Sequence, residues 1–274
     1  MTVTTAIMGR GGSGKTFIAS HLAMALGSIG VKTLLVGCDQ KQDLHRALTT
    51  EPVTCLMDEL AACNFIHDEI PQEALAFSVS EYVDVMELGA SPLLAGSYAA
   101  VLEETFLTFD VFNLWKRYDQ IIFDINEERF DGSHLQIFRR VDQGLLVVTD
   151  EVESFFVANR VLRAVLIGSH EMQTRMRLLG VAGNRLFRRE LFDEFVNRTR
   201  LFPLLGLPAD PALHRLRRAR HTFYQMERLP QELKQADLEF IRLADTIKGT
   251  VIGVLPFNPL PDEEVWQIEK IVPA

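Results

Sequence analysis

Between an apolar run, Val3 to Met8, and a helix-like run, Phe17 to Leu26, lies the stretch Gly9-Arg10-Gly11-Gly12-Ser13-Gly14-Lys15-Thr16. Few folds accommodate such a passage. The spacing G-x-x-x-x-G-K-[ST] works only with a strand before it and a helix after it. Its glycines turn backbone N–H groups inward and the helix N-terminus adds its dipole, which together cradle phosphate. Gly11, Gly12, Ser13 and Gly14 supply the cradle, Lys15 reaches the β and γ phosphates, and Thr16 ligates magnesium. A glycine-rich turn that binds nothing is the alternative, but a turn has no need of a Lys-Thr pair.

Further β-branched runs recur between helical patterns: Lys32–Gly37, Tyr82–Leu88, Gln120–Ile125, Gly144–Thr149, Leu178–Asn184 and Leu201–Leu207. Strands alternating with helices predict an α/β fold, a single P-loop NTPase domain with a mainly parallel sheet flanked by helices. Ligands then bind at the carboxyl ends of the strands, where the glycine loop sits. Helices are expected at Cys55–Ala62, at Gln72–Ser78 behind Pro71, from Ser97 to Asn113, and from an N-cap at Ser154 to Ile167. Three more are expected at Arg188–Thr199, Asp210–Arg220 and Gln231–Ile247. No repeat or Pro/Gly/Ser-rich linker divides the chain, so residues 1–248 read as one domain. The segment 249–274, interrupted by Pro256, Pro259, Pro261 and Pro273, reads as a tail wrapped over the surface.

At 274 residues with 47% hydrophobic content, the chain has the material for a buried core. No leader-like segment opens it and no apolar run approaches the roughly 18 residues of a membrane span, so a cytoplasmic protein without membrane contact is expected. Cys38, Cys55 and Cys63 lie in apolar surroundings without a C-x-x-C pair and read as buried thiols. The net charge of −9 argues against wholesale wrapping of nucleic acid. The charge is uneven, however. Seven arginines fall between Arg175 and Arg200, followed by the cluster Arg215-Leu216-Arg217-Arg218-Ala219-Arg220. This run is either a solvated helix face or a docking surface for an acidic partner or for DNA phosphates.

Two acidic elements follow strand ends. Gly37-Cys38-Asp39-Gln40-Lys41-Gln42-Asp43 places Asp39 and Asp43 where they would hold magnesium through its waters, and Lys41 where it would face a phosphate. Phe123-Asp124-Ile125-Asn126-Glu127-Glu128 offers Asp124 for the metal and Glu128 to orient an attacking water. For both, a solvated surface turn remains the bland alternative.

The glycine loop together with Gly37-Cys38-Asp39-x-Lys41-x-Asp43 resembles the nitrogenase iron protein and the iron-protein subunits of the dark-operative protochlorophyllide and chlorophyllide reductases. The wider group, which has a deviant Walker A loop, includes the partitioning and cell-division positioning ATPases. The resemblance runs from Val3 to about Ile247. It implies a homodimeric, magnesium-dependent ATPase in which Lys15 and Thr16 bind phosphate and magnesium. Asp39 and Asp43 would serve the hydrolytic and first-switch elements, and Asp124 and Glu128 the second switch. Asn184 and the turn Pro208-Ala209-Asp210 match the adenine-side elements.

The departures carry as much weight. Arg10 stands where the family has a lysine that reaches the other subunit's nucleotide; it keeps the charge and adds a bidentate fork. Glu127 replaces a glycine whose N–H approaches the γ-phosphate in the family, and a carboxylate aimed there would be repelled, so either it turns away or hydrolysis is slow. The positions of the two cluster-ligating cysteines fall at Ser97 and Asp131, neither of which supplies the thiolate that an iron–sulfur cluster normally needs. The expectation is a nucleotide switch with ATP and Mg2+ but no [4Fe–4S] cluster, signalling to a protein partner. Two alternatives stay open: a partitioning-type ATPase that binds DNA non-specifically, and a pseudo-ATPase holding nucleotide as a structural ligand.

Overall fold

A computed structural model describes residues 2–39, 41–94, 97–125, 134–171, 174, 176–249 and 256–270. The strands are β1 (Val3–Met8), β2 (Thr33–Gly37), β3 (Phe77–Ser80), β4 (Val83–Glu87), β5 (Gln120–Asp124), β6 (Gln143–Val148), β7 (Arg177–Leu186) and β8 (Pro203–Pro208). They form one sheet in the order β3-β4-β2-β5-β1-β6-β7-β8, parallel except for β3. The helices are α1 (Lys15–Ser28), α2 (Leu56–Ala62), α3 (Tyr98–Val111), α4 (His134–Arg140), α5 (Val152–Glu171), α6 (Arg189–Thr199), α7 (Pro211–Ala219), α8 (Lys234–Ile247) and α9 (Asp262–Glu269).

Central strands such as β1 and β2 are buried over their whole length, because helices cover both faces of the sheet. Alternate residues feed different cores. Ala6, Met8, Leu34 and Val36 join the layer that includes α2, α3, α5, α6 and α9. Ile7 and Leu35 join the layer of α1, α7 and α8. Helix α1 is apolar nearly all round, with Ile18, Leu22 and Leu26 fully buried, as befits a helix wedged between the sheet and α8. Burial of each such side chain contributes roughly 1.5–3 kcal/mol, which mounts the glycine loop on a firm base.

Three expectations are corrected. Gln72–Ser78 is not a helix: one 3-10 turn, Gln72–Ala74, gives way to the edge strand β3, which pairs antiparallel with β4. Ser154 is not an N-cap, since α5 has already begun at Val152; its hydroxyl instead accepts the Thr149 N–H at 3.0 Å. The proline-rich segment also holds a helix, α9, whose Val265 and Ile268 are buried against α5 and α6. It is clamped by Asn159, which donates to the Leu260 carbonyl at 2.8 Å and accepts the Leu260 N–H at 2.7 Å. Ser97 does cap α3, accepting the Ala100 N–H.

Candidate functional site

Parallel register brings the site together. Asp124, the last residue of β5, is level with Ile7 of β1 and Gly37 of β2, and the Cys38 N–H donates to its carbonyl. The glycine loop, the turn after β2 and the end of β5 therefore share one edge of the sheet. Between them lies a cavity of about 510 Å³ bordered by the loop, Asp39, Lys41, Asp43 and Asp124.

The loop is shaped by contacts that exclude side chains. A Cβ on Gly9 would lie 2.0 Å from the Val147 carbonyl oxygen. Gly14, at φ 92°, ends the loop as the N-cap of α1, and a Cβ there would lie 2.1 Å from Asn184 Nδ2. Nothing lies within 4 Å of such an atom on Gly11 or Gly12, so that side of the cradle is open. Asn184, buried near the end of β7, donates to the Ser13 carbonyl at 2.8 Å, and the Arg185 guanidinium donates to the Gly12 carbonyl.

Lys15 Nζ donates to the Gly9 carbonyl at 2.7 Å and to the Arg10 carbonyl at 3.2 Å, holding the ammonium beneath the loop. The Thr16 hydroxyl donates to Asp124 Oδ2 at 2.7 Å. Asp124 is buried, which pushes its pKa up to about 6; Lys15 and the Thr16 bond oppose that shift, while Asp43 and Glu87 reinforce it. Its Oδ1 has no hydrogen-bond partner among the described residues. An orphaned carboxylate oxygen beside a threonine hydroxyl and two further carboxylates suits a hard divalent cation, and the open cradle suits phosphate. Glu127, Glu128 and Asp131, like Arg175, lie outside the described residues. The Arg10 guanidinium meets Glu151 of its own chain at 2.5 Å, both side chains being largely exposed.

A second, apolar pocket of about 300 Å³ adjoins the first. Asn184, Pro208 and Asp210 line it, and Asp210 also caps α7 through the Ala212 N–H at 2.6 Å. Phe17 and the exposed Phe187 add aromatic surface. Sequence reasoning missed these rings, and did not place Arg46, Arg217, Arg220 and His221 at the larger cavity. It also missed Glu87, level with Gly37 and buried, which accepts from the His45 N–H and Nδ1 at 2.8 and 2.9 Å. Burial raises its pKa and the His45 bonds oppose this.

The cysteines are free thiols, Cys38 and Cys55 buried and Cys63 partly so. Burial pushes the Cys38 thiol well above its usual range and Cys55 up to about 12, so both stay protonated near neutrality. No helix among the described residues is long and apolar enough to cross a membrane.

Residues 3–271 match the model of the family described as 4Fe-4S iron sulfur cluster binding proteins, NifH/frxC family. A light-independent protochlorophyllide reductase iron-sulfur ATP-binding protein of Rubrivivax gelatinosus is 29% identical over 265 residues, 96% of this chain and 86% of that protein. Its counterpart from Roseiflexus sp. is 28% identical over 98% of both chains. Among solved structures, the septum site-determining protein MinD from Pyrococcus horikoshii, complexed with Mg-ADP, superposes with a TM-score of 0.68 at 19% identity, covering 92% of this chain and all of that one.

Proposed function

The chain belongs to the NifH/frxC family of 4Fe-4S iron sulfur cluster binding proteins, and from that membership we propose that it is a homodimeric ATP-driven switch acting on a protein partner without a cluster of its own. The observation that carries the nucleotide reading is Thr16 bonded to a buried, half-satisfied Asp124 at the mouth of an open glycine cradle. ATP would lie with its base against Phe17, Pro208 and Asn184 and its phosphates over Gly11–Thr16. Magnesium, when bound, neutralises phosphate charge; Thr16 and Asp124, with Asp39 and Asp43, would hold it. Lys15 would exchange the Gly9 and Arg10 carbonyls for phosphate oxygens. Glu127, if its carboxylate faces the phosphates, would keep hydrolysis slow.

Among the described residues, Ser97 and the two buried thiols do not suit a thiolate-ligated cluster, and Cys63 alone is a partly exposed free thiol. Ser97 uses its hydroxyl to cap α3, and the buried Cys38 and Cys55 thiols are held protonated. The switch would therefore act through shape change, its nucleotide state read by a protein partner. The cytoplasm is the compartment this reading implies. Non-specific DNA binding is less favoured, because Arg217 and Arg220 line the nucleotide cavity.

Calorimetric titration with ATP, with and without Mg2+, tests the first half, and turnover measured against Lys15→Ala as blank tests hydrolysis. Absence of Mg2+-dependent ATP binding would sink the switch. Anaerobic reconstitution followed by iron and sulfide analysis tests the second half: stoichiometric iron and sulfide with a thiolate-to-iron absorption band would overturn the loss of the cluster.

A further inference from the structure

The fold sends the arginines of α7 in different directions. Arg215 turns outward and pairs with Glu232 at 3.1 Å. Arg217 on α7 and Arg220, the left-handed residue that caps the helix C-terminus, both line the larger cavity, joined by Arg46 from the 3-10 turn His45–Ala47. Among the described residues Arg46, Arg217 and Arg220 have no carboxylate partner. Arg217 also feels Arg185: partial burial first, and that second guanidinium next, lower its pKa from the ordinary arginine value. Like charges held together in this way are relieved by an anion between them.

Position narrows the anion. Among the described residues, Phe17 and Arg217 are the two that line both the phosphate cavity and the apolar pocket. A nucleotide with its base in one and its polyphosphate in the other would pass its sugar and first phosphate by Phe17 and Arg217, and of these two only Arg217 can bind phosphate. We propose that Arg217, supported by Arg220 and Arg46, forms a second phosphate subsite facing the glycine loop, which takes a phosphate carried on or beside the ribose of the bound adenine nucleotide. This rests on the nucleotide reading above. A guanidinium fork holds two oxygens of such a group, which a lysine ammonium does not. The group is either the α-phosphate of an ordinary 5′-nucleotide or a phosphate esterified to the ribose.

Calorimetric titration of the wild type, Arg217→Gln, Arg217→Lys and Arg220→Gln with AMP, ADP, ATP and adenosine 3′,5′-bisphosphate separates these. Arg217→Gln is expected to lose about tenfold or more in affinity, with Arg217→Lys intermediate. A loss shared by AMP, ADP and ATP assigns the α-phosphate; a loss confined to the bisphosphate assigns the ribose ester; either supports the subsite. ATP bound equally by the wild type and all three variants, with the bisphosphate unaffected, overturns the subsite and leaves the switch standing. A wild type that binds none of the four overturns both. Salt-sensitive DNA retention that disappears in Arg217→Gln while nucleotide affinities hold would overturn the subsite and give the arginine run to DNA. Thermal melting of each variant confirms folding, and Arg217→Lys carries the comparison should the glutamine variant melt early.

Discussion

Burial moves the Asp124 carboxyl from an ordinary value of 3.8 to about 6, so the folded chain binds that proton more tightly than the unfolded chain does. That preference contributes stability that is fully present below about pH 4 and lost as pH rises to about 6, up to roughly 3 kcal/mol. In metal-free, nucleotide-free protein, Asp124→Asn should therefore flatten this part of the unfolding free energy and exceed the wild type above pH 6. Parallel denaturation curves for the two proteins across pH 4–7 would contradict the assignment. Gly14 makes a second demand: Gly14→Ala forces a φ of 92° on alanine and drives its methyl into the Asn184 amide. A loss of about 1–3 kcal/mol is expected, along with weakened ATP binding. Asn184→Ala in the same chain should relieve the collision but not the backbone strain, so the double variant should recover only part of the melting temperature. Residues of this sort were legible in the sequence, since a glycine, a Lys-Thr pair and a strand-end aspartate are each required by local geometry. Arg217 and Arg220 were not, because which way a helical arginine points depends on how α7 docks. His45 and Glu87, 42 residues apart, were hidden for the same reason.

At the level of elements, the strands that lie inside the sheet announced themselves as unbroken β-branched runs. The edge did not. Gln72 to Ser78 holds Ala74, Leu75 and Ala76, good helix formers, yet β3 takes over at Phe77 because pairing with β4 outweighs propensity. The alternation Phe77-Ser78-Val79-Ser80 was the available signal. Helix α9 escaped notice behind three prolines that break the chain before it but leave it free to form. Its attachment rests on Asn159, whose amide pairs with both backbone groups of Leu260, and on Arg163, which donates to the same carbonyl and to Asp262. Asn159→Ala should cost roughly 1–3 kcal/mol for the Leu260 N–H left buried without a partner, the carbonyl keeping its bond from Arg163, seen as a lower urea midpoint and earlier proteolysis near residue 260. An unchanged midpoint would show that Arg163 with the buried Val265 and Ile268 holds this segment without Asn159.

For the whole molecule, the proposed dimer turns on Arg10. Its pairing with Glu151 joins two exposed side chains, an interaction worth at most about 1 kcal/mol. Such a pair yields readily to a phosphate across an interface. Arg10→Ala should abolish ATP-dependent dimerisation in sedimentation velocity while leaving the ATP affinity of the single chain within about twofold. Dimerisation that persists in this variant would remove Arg10 from the interface.

The strand order carries one more consequence. The glycine loop grows out of β1, which is hydrogen-bonded on one side to β5 and on the other to β6 and lies far from both edges of the sheet. Amide protons there exchange with solvent only when the protein opens globally, whereas those of β3 exchange through local fraying. A ligand seated on β1 cannot be released by loosening the rim, so its binding free energy adds to the stability of the entire fold. Saturating nucleotide should slow exchange uniformly across the central strands and leave the β3 edge as it was.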